Sequence, residues 1–90
     1  LGGEEFVILL PHAPIEAAYE VAERLRLAFR DLHIETHKGP LFLTVSIGIA
    51  QCLQKDIGIE ATLSRADKAL YLAKESGRNQ AIAASTDEAE

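Results

Sequence analysis

Residues 43–50 read Leu43-Thr44-Val45-Ser46-Ile47-Gly48-Ile49-Ala50. Large apolar side chains at 43, 45, 47 and 49 alternate with Thr, Ser, Gly and Ala. That period of two predicts a strand with one large apolar face and one small face. Gly48 lies on the small face and lets another group approach the backbone. A strand of this kind needs a layer to cover it, so the flanking sequence decides the architecture.

Upstream, Ile15, Ala18, Ala22, Leu25, Phe29 and Leu32 recur at spacings of three and four. They predict one amphipathic helix over about 15–31, with Pro14 suited to its first turn. Glu16, Glu20, Glu23, Arg24 and Arg30 take its wet side. Before it, Phe6-Val7-Ile8-Leu9-Leu10 reads as a strand buried on both faces and ended by Pro11. Between helix and central strand, residues 33–37 form a short strand, and Lys38-Gly39-Pro40 supply a turn into the strand at 43–50. Downstream, Ile59, Leu63, Ala66, Leu70 and Ala73 predict a second helix to about Ser76, with Gly77 as its left-handed terminator. Residues 80–84 form a last short strand, and 85–90 a polar, acidic tail. The reading is an α+β fold: a mainly antiparallel sheet with helices packed on one face.

Composition narrows the function. The 90 residues are 48% hydrophobic and 26% charged, enough for one packed domain. A net charge of −5 argues against binding a nucleic acid polymer, which needs clustered Lys and Arg. It leaves room for a nucleotide held by a few basic side chains and a metal. The single Cys52 forms no internal disulfide and fits a reducing, cytoplasmic setting. The apolar runs are shorter than a membrane span requires. With no Met in the chain, the expectation is a piece of a larger protein, which leaves a membrane anchor in that protein open.

Two stretches carry candidate chemistry. Gly2-Gly3 before a strand suits a tight turn, because glycine accepts positive φ. Glu4 and Glu5 follow, and neighbouring strand side chains point to opposite faces. A carboxylate at a strand mouth beside glycines can hold Mg²⁺. Two ordinary surface acids fit the same local pattern, and local chemistry alone favours them. Near the other end, Lys74 in the last helical turn and Arg78 just past Gly77 can together grip phosphate. Basic residues complementing the helix dipole fit the same pattern, and local chemistry alone favours that reading.

Taken in order, "GGEEF" at Gly2–Phe6, "LTVSIGIA" at 43–50 and "RADKALYLAKESGRN" at 65–79 resemble the C-terminal half of a GGDEF domain, the diguanylate cyclase family. The resemblance covers residues 1–84. It implies a partial ferredoxin-like, nucleotidyl-cyclase palm lacking its N-terminal strand and helices. It also implies a GTP-dependent nucleotidyltransferase that condenses two GTP into cyclic di-GMP and releases two pyrophosphates. Two such domains face each other as a homodimer, each with one GTP and Mg²⁺ (or Mn²⁺). Carried onto this chain, Gly2 and Gly3 line the nucleotide. Glu4 coordinates the metal and activates the 3′-hydroxyl, and Glu5 occupies a signature position with a catalytic or structural role. Lys74 and Arg78 neutralise the β- and γ-phosphates.

The family's other metal ligand and its guanine-recognising residues belong upstream of the signature, as does an Arg-x-x-Asp product site. The 90 residues by themselves are therefore expected to be inactive. The absent first strand would sit between the strands at 7–10 and 43–50, leaving edges that seek partners. A sensory or receiver domain is expected to precede the domain in the parent protein. Arg24 matches an inhibitory arginine of some members but reads here as a surface residue. The alternatives are a catalytically silent GGDEF domain that senses GTP or cyclic di-GMP, and a ferredoxin-like interaction domain without nucleotide. His12, His33, His37 and Cys52 share no zinc-site spacing. His33 and His37 read as exposed, Cys52 as a buried or half-buried thiol, and Tyr71 as helix packing.

Overall fold

The computed structural model describes Leu10 and residues 13–85. The strand read over residues 6–10 and the Gly2–Phe6 signature lie outside them, Leu10 excepted. The described residues form, in order, α1 (Ile15–Arg30), β1 (Ile34–Thr36), β2 (Gly39–Leu41), β3 (Ile47–Ile49), α2 (Glu60–Glu75) and β4 (Ala81–Ala83). The α+β class is the one read from the sequence, but β2 is an additional strand, and the hairpin expected between residues 33–37 and 43–50 forms between β1 and β2 instead.

β1 and β2 pair antiparallel, with Ile34 opposite Leu41 and Thr36 opposite Gly39. The hairpin closes earlier than its sequence suggests. The turn is His37-Lys38, and Gly39 enters β2 at φ +108°. The Thr36 hydroxyl makes the turn: it accepts from the Lys38 N–H (3.1 Å) and donates to the Gly39 carbonyl (2.6 Å). Pro40 is thus a strand residue opposite Glu35 rather than part of the turn. A two-stranded ribbon has outward-facing positions that need no N–H donor, so it tolerates proline. His33 and His37 are exposed, as read.

The alternating segment 43–50 keeps regular strand geometry only at Ile47–Ile49. Its partner is β4, and the pairing is parallel: Ile47 with Ala81, Gly48 with Ile82, Ile49 with Ala83. Backbone bonds extend the ladder at both ends, from Ile47 N–H to Gln80 O (2.9 Å) and from Ala84 N–H to Ile49 O (2.7 Å). Parallel strands require a crossover, and α2 is that crossover.

The two helices cover opposite faces of β3 rather than one face. Ile47 and Ile49 point toward α1, where Ala22, Ile49 and Ala81 form a buried cluster joined by Ile15 and Ala18. Gly48 points the other way, onto α2. A Cβ at Gly48 would collide with the Ala66 carbonyl oxygen and the Leu70 backbone nitrogen, and would lie 2.8 Å from Leu70 Cα. Ala69 and Ala73, 2% and 0% exposed, are the buried side chains of α2. Small residues on both sides let helix and strand backbones close up, which answers what Gly48 admits. Of the stripe read for this helix only Ala73 is fully buried; Leu63, Ala66 and Leu70 are half-buried, and Ile59 is 44% exposed.

The α1 stripe departs from its reading in the second half. Leu25, Phe29 and Leu32 are exposed. Burial on α1 is greatest at Ala22, and in the second half the half-buried positions are Arg26, whose side chain is 16% exposed, and Leu27.

The loop before α2 is built on Asp56. Its carboxylate accepts from Arg65 Nη1 (3.0 Å) and Nη2 (2.6 Å), Thr62 Oγ1 (2.8 Å) and the Leu53 N–H (2.7 Å). Arg65 Nη2 also donates to Gln51 O (2.7 Å). The Asp56 side chain is 3% exposed and that of Arg65 13%. Arg65 above all, with the Leu53 N–H, holds the carboxyl well below the usual carboxylate range. The linkage has a definite sign. Below about pH 4 the unfolded chain takes up a proton that the folded loop refuses, so stability rises with pH there. The contribution is complete above the ordinary carboxylate pKa and is lost as pH falls through the folded one. In urea titrations of the intact protein at successive pH values, Asp56→Asn should remove up to about one proton from the acid-side slope. An unchanged slope would show that Asp56 is not a stabilising anion.

Candidate functional site

α2 ends where the candidate cations lie. Lys74 is in its last turn and half-buried; Arg78 is exposed two residues past the C-cap, Ser76. The termination is a Schellman motif. The Arg78 N–H reaches back to the Ala73 carbonyl (2.8 Å), and Gly77 takes φ +114°.

The chain then keeps to the left-handed region: Arg78 has φ 64° and Asn79 φ 50°. Asparagine tolerates this conformation and arginine does so at a cost of about 1–2 kcal/mol, so the turn must be held from outside. Three groups hold it. The Asn79 N–H donates to Ser46 Oγ (3.1 Å) in the segment leading to β3. Arg26 Nη1, from α1, donates to Asn79 Oδ1 (3.0 Å) and to the Asn79 carbonyl (3.3 Å). Gln80 Nε2 donates to the carbonyls of Ser76 and Arg78, both at 3.1 Å. Arg26 is itself braced by Glu23, whose two oxygens receive Nε at 3.0 Å and Nη2 at 2.8 Å. That pairing lowers the pKa of Glu23 and raises that of Arg26.

Lys74 and Arg78 are therefore brought to one end of one helix. Gly2, Gly3, Glu4 and Glu5 lie outside the described residues. Among the described residues no group of three or more His, Cys, Asp or Glu side chains is arranged to hold a metal. The described residues supply no metal cradle of their own. No helix among the described residues is long and apolar enough to cross a membrane.

Two readings are corrected. Cys52 is exposed rather than buried or half-buried, because it leaves β3 on a loop that turns outward. Tyr71 is 63% exposed and does not pack. It lines a shallow depression on the outer face of α2 with Ser64, Asp67, Lys68 and Leu72. The clamp of Arg26, Ser46 and Asn79 escaped the sequence reading. The one available signal was Asn79 after Gly77-Arg78, since asparagine favours the left-handed region.

Fold and site place the chain among α+β domains built on a strand–helix–strand unit, with cationic side chains at the exit of the crossover helix. Comparison with known proteins specifies it further. The family described as diguanylate cyclase, GGDEF domain, matches residues 1–80. The chain is 44% identical over 79 residues to diguanylate cyclase DgcP of Pseudomonas aeruginosa, covering 88% of this chain and 12% of that protein. It is 42% identical over 83 residues to diguanylate cyclase DgcM of Escherichia coli K12, covering 92% and 19%. With the response regulator PleD of Caulobacter vibrioides it shares 37% over 83 residues, covering 90% and 18%. The GGDEF domain of DgcB from Caulobacter crescentus, solved in complex with c-di-GMP, superposes with a TM-score of 0.78 at 28% identity. That match covers 86% of this chain and 45% of the other. The chain belongs to the GGDEF domain family of diguanylate cyclases. It spans less than a fifth of the length of these curated relatives.

Proposed function

We propose that this chain is part of a diguanylate cyclase. Two GTP molecules, one on each of two facing domains, are joined into cyclic di-GMP. In each of two successive steps a 3′-hydroxyl oxygen bonds to the α-phosphorus of the other nucleotide. The bond from that phosphorus to the bridging oxygen breaks, a proton leaves the hydroxyl, and pyrophosphate departs. The observation that carries the reading is the unbroken Gly2-Gly3-Glu4-Glu5-Phe6 signature, in a chain whose relatives named as diguanylate cyclases are 42% and 44% identical.

Each residue has a part in that chemistry. Gly2 and Gly3 leave space for the nucleotide against bare backbone. Glu4 directs the attacking 3′-hydroxyl and binds the metal, with Glu5 beside it in the signature. Enzymes of this family are metal-dependent. Mg²⁺ or Mn²⁺, held by Glu4 and by phosphate oxygens of the substrate, would spread the charge on the leaving group. Lys74 and Arg78 take the negative charge of the β- and γ-phosphates, Arg78 in a bidentate manner. A response regulator among the relatives supports a regulatory domain in the parent protein. GTP as substrate goes with a cytoplasmic setting.

The test is turnover by the full-length protein, followed as cyclic di-GMP formed and pyrophosphate released from GTP. Product is expected. Lys74→Ala and Arg78→Ala should each raise KM about tenfold, consistent with losing one hydrogen-bonded charge contact, and kcat should change less. Tight GTP binding without product would replace this reading with that of a silent nucleotide sensor. An unchanged KM in both variants would remove the phosphate role.

A further inference from the structure

Arg78 can grip a polyphosphate only if its backbone is kept where it points the side chain outward. Arg78 and Asn79 both stand in the left-handed region, at φ 64° and 50°, and no glycine relieves either. A surface turn of this kind relaxes unless it is over-determined by its surroundings. Here the ties are long-range. Arg26 is 53 residues away in sequence and Ser46 is 33. They belong to α1 and to the entry of β3, and they meet on Asn79 alone. The Arg26 side chain, only 16% exposed, is itself fixed by the two-oxygen contact with Glu23. The clamp thus spends two rigid elements on one exposed turn whose outward-facing residue is Arg78.

We propose that Asn79, clamped by Arg26 and Ser46, is a positioning residue that pre-sets Arg78 for the terminal phosphates of a guanine nucleotide. The inference rests on the phosphate role assigned to Arg78 above and extends it to residues that touch no nucleotide. Asn79 acts through Arg78 by lowering the ordering cost of its engagement, which is the usual gain from pre-organisation. The Arg26 bond to Oδ1 supplies the anchor, and the Arg26 bond to the Asn79 carbonyl fixes the peptide plane. Without the anchor, Arg78 returns to negative φ and its guanidinium leaves the phosphate end of the site.

A binding experiment on the full-length protein separates this from a plain stabilising contact. Two probes are titrated with Mg²⁺: a GTP analogue with a non-cleavable bridge between the α- and β-phosphates, and GMP, which lacks the terminal phosphates. Asn79→Ala is expected to weaken the analogue about tenfold and to leave GMP within about twofold. In an Arg78→Ala background, Asn79→Ala should cost nothing further, since the two then act as a unit. Asn79→Asp keeps both the oxygen acceptor for Arg26 and the tolerance for positive φ, so it should restore affinity to within about threefold of the parent. If Asn79→Ala does not fold, Arg26→Met, which keeps the stem and loses the donors, carries the same cycle. Equal weakening of both probes, or losses that add to those of Arg78→Ala, would overturn the positioning role. If Arg78→Ala weakens the analogue and Asn79→Ala does not, positioning alone fails. If Arg78→Ala leaves the analogue unaffected, the phosphate reading fails and takes the positioning role with it.

Discussion

Replacing Gly48 with valine is expected to cost the fold at least about 3 kcal/mol, the upper range for overpacking a close-fitting core. The first added carbon already has no room. It would fall on the Ala66 carbonyl oxygen and the Leu70 backbone nitrogen, with Leu70 Cα 2.8 Å away. These are helix backbone atoms, so no rotamer change relieves the overlap. α2 would have to withdraw from β3. That movement would uncover Ala69 and Ala73, now 2% and 0% exposed. A domain of this size has about 5–15 kcal/mol in all, so the loss takes much of the margin. Gly58 is the internal control, because a Cβ there meets nothing within 4 Å. Its positive φ of 73° still costs something, though less. In urea titrations the midpoint should fall steeply for Gly48→Val and clearly for Gly48→Ala, with similar slopes. A Gly48→Ala midpoint equal to the parent's would show that α2 sits on β3 less tightly than described.

The second large effect concerns chemistry. Glu4→Gln in the full-length protein should lower cyclic di-GMP synthesis about a thousandfold while leaving thermal stability within a degree or two. Glutamine keeps the shape of the side chain and removes its charge. A hard divalent ion prefers anionic oxygen, and charge stabilisation by such an ion is worth several kcal/mol in the transition state. About 4 kcal/mol corresponds to that thousandfold. The signature differs from the Lys74 and Arg78 variants, which act mainly on KM. A Glu4→Gln protein retaining a tenth or more of the activity would mean that the metal is held elsewhere.

Helix positions were legible because their signal is local. Spacings of three and four located α1 and α2 to within about a residue, and Gly77 marked the end of α2. The alternation at 43–50 located β3, and Gly48 announced a close neighbour. What local patterns do not carry is partnership. The sequence could not say that β3 pairs with β4 instead of the preceding hairpin strand, nor that Ile47 and Gly48 face different helices. Pro40 misled the turn assignment because proline is common both in turns and on ribbon edges. The Asp56–Arg65 and Arg26–Asn79 contacts were invisible for the same reason: each joins polar residues that look like ordinary surface charges until the chain brings them together. Of the candidate site, Lys74 and Arg78 are residues that the sequence nominates, whereas the contacts of Arg26 and Ser46 with Asn79 beside them could not be read from it.

The parallel pairing of β3 with β4 also bears on how the chain assembles. Neither strand can find the other until the stretch between them has been shortened, and the entropy of closing so long a loop opposes it. A 16-residue helix condenses most of that stretch into a rod of about 24 Å. Helix formation is fast and strand docking across a crossover is slow, so α2 is expected to form before β4 docks. The loop bearing Arg78 connects the two, and so it is expected to take its final shape together with the docking of β4.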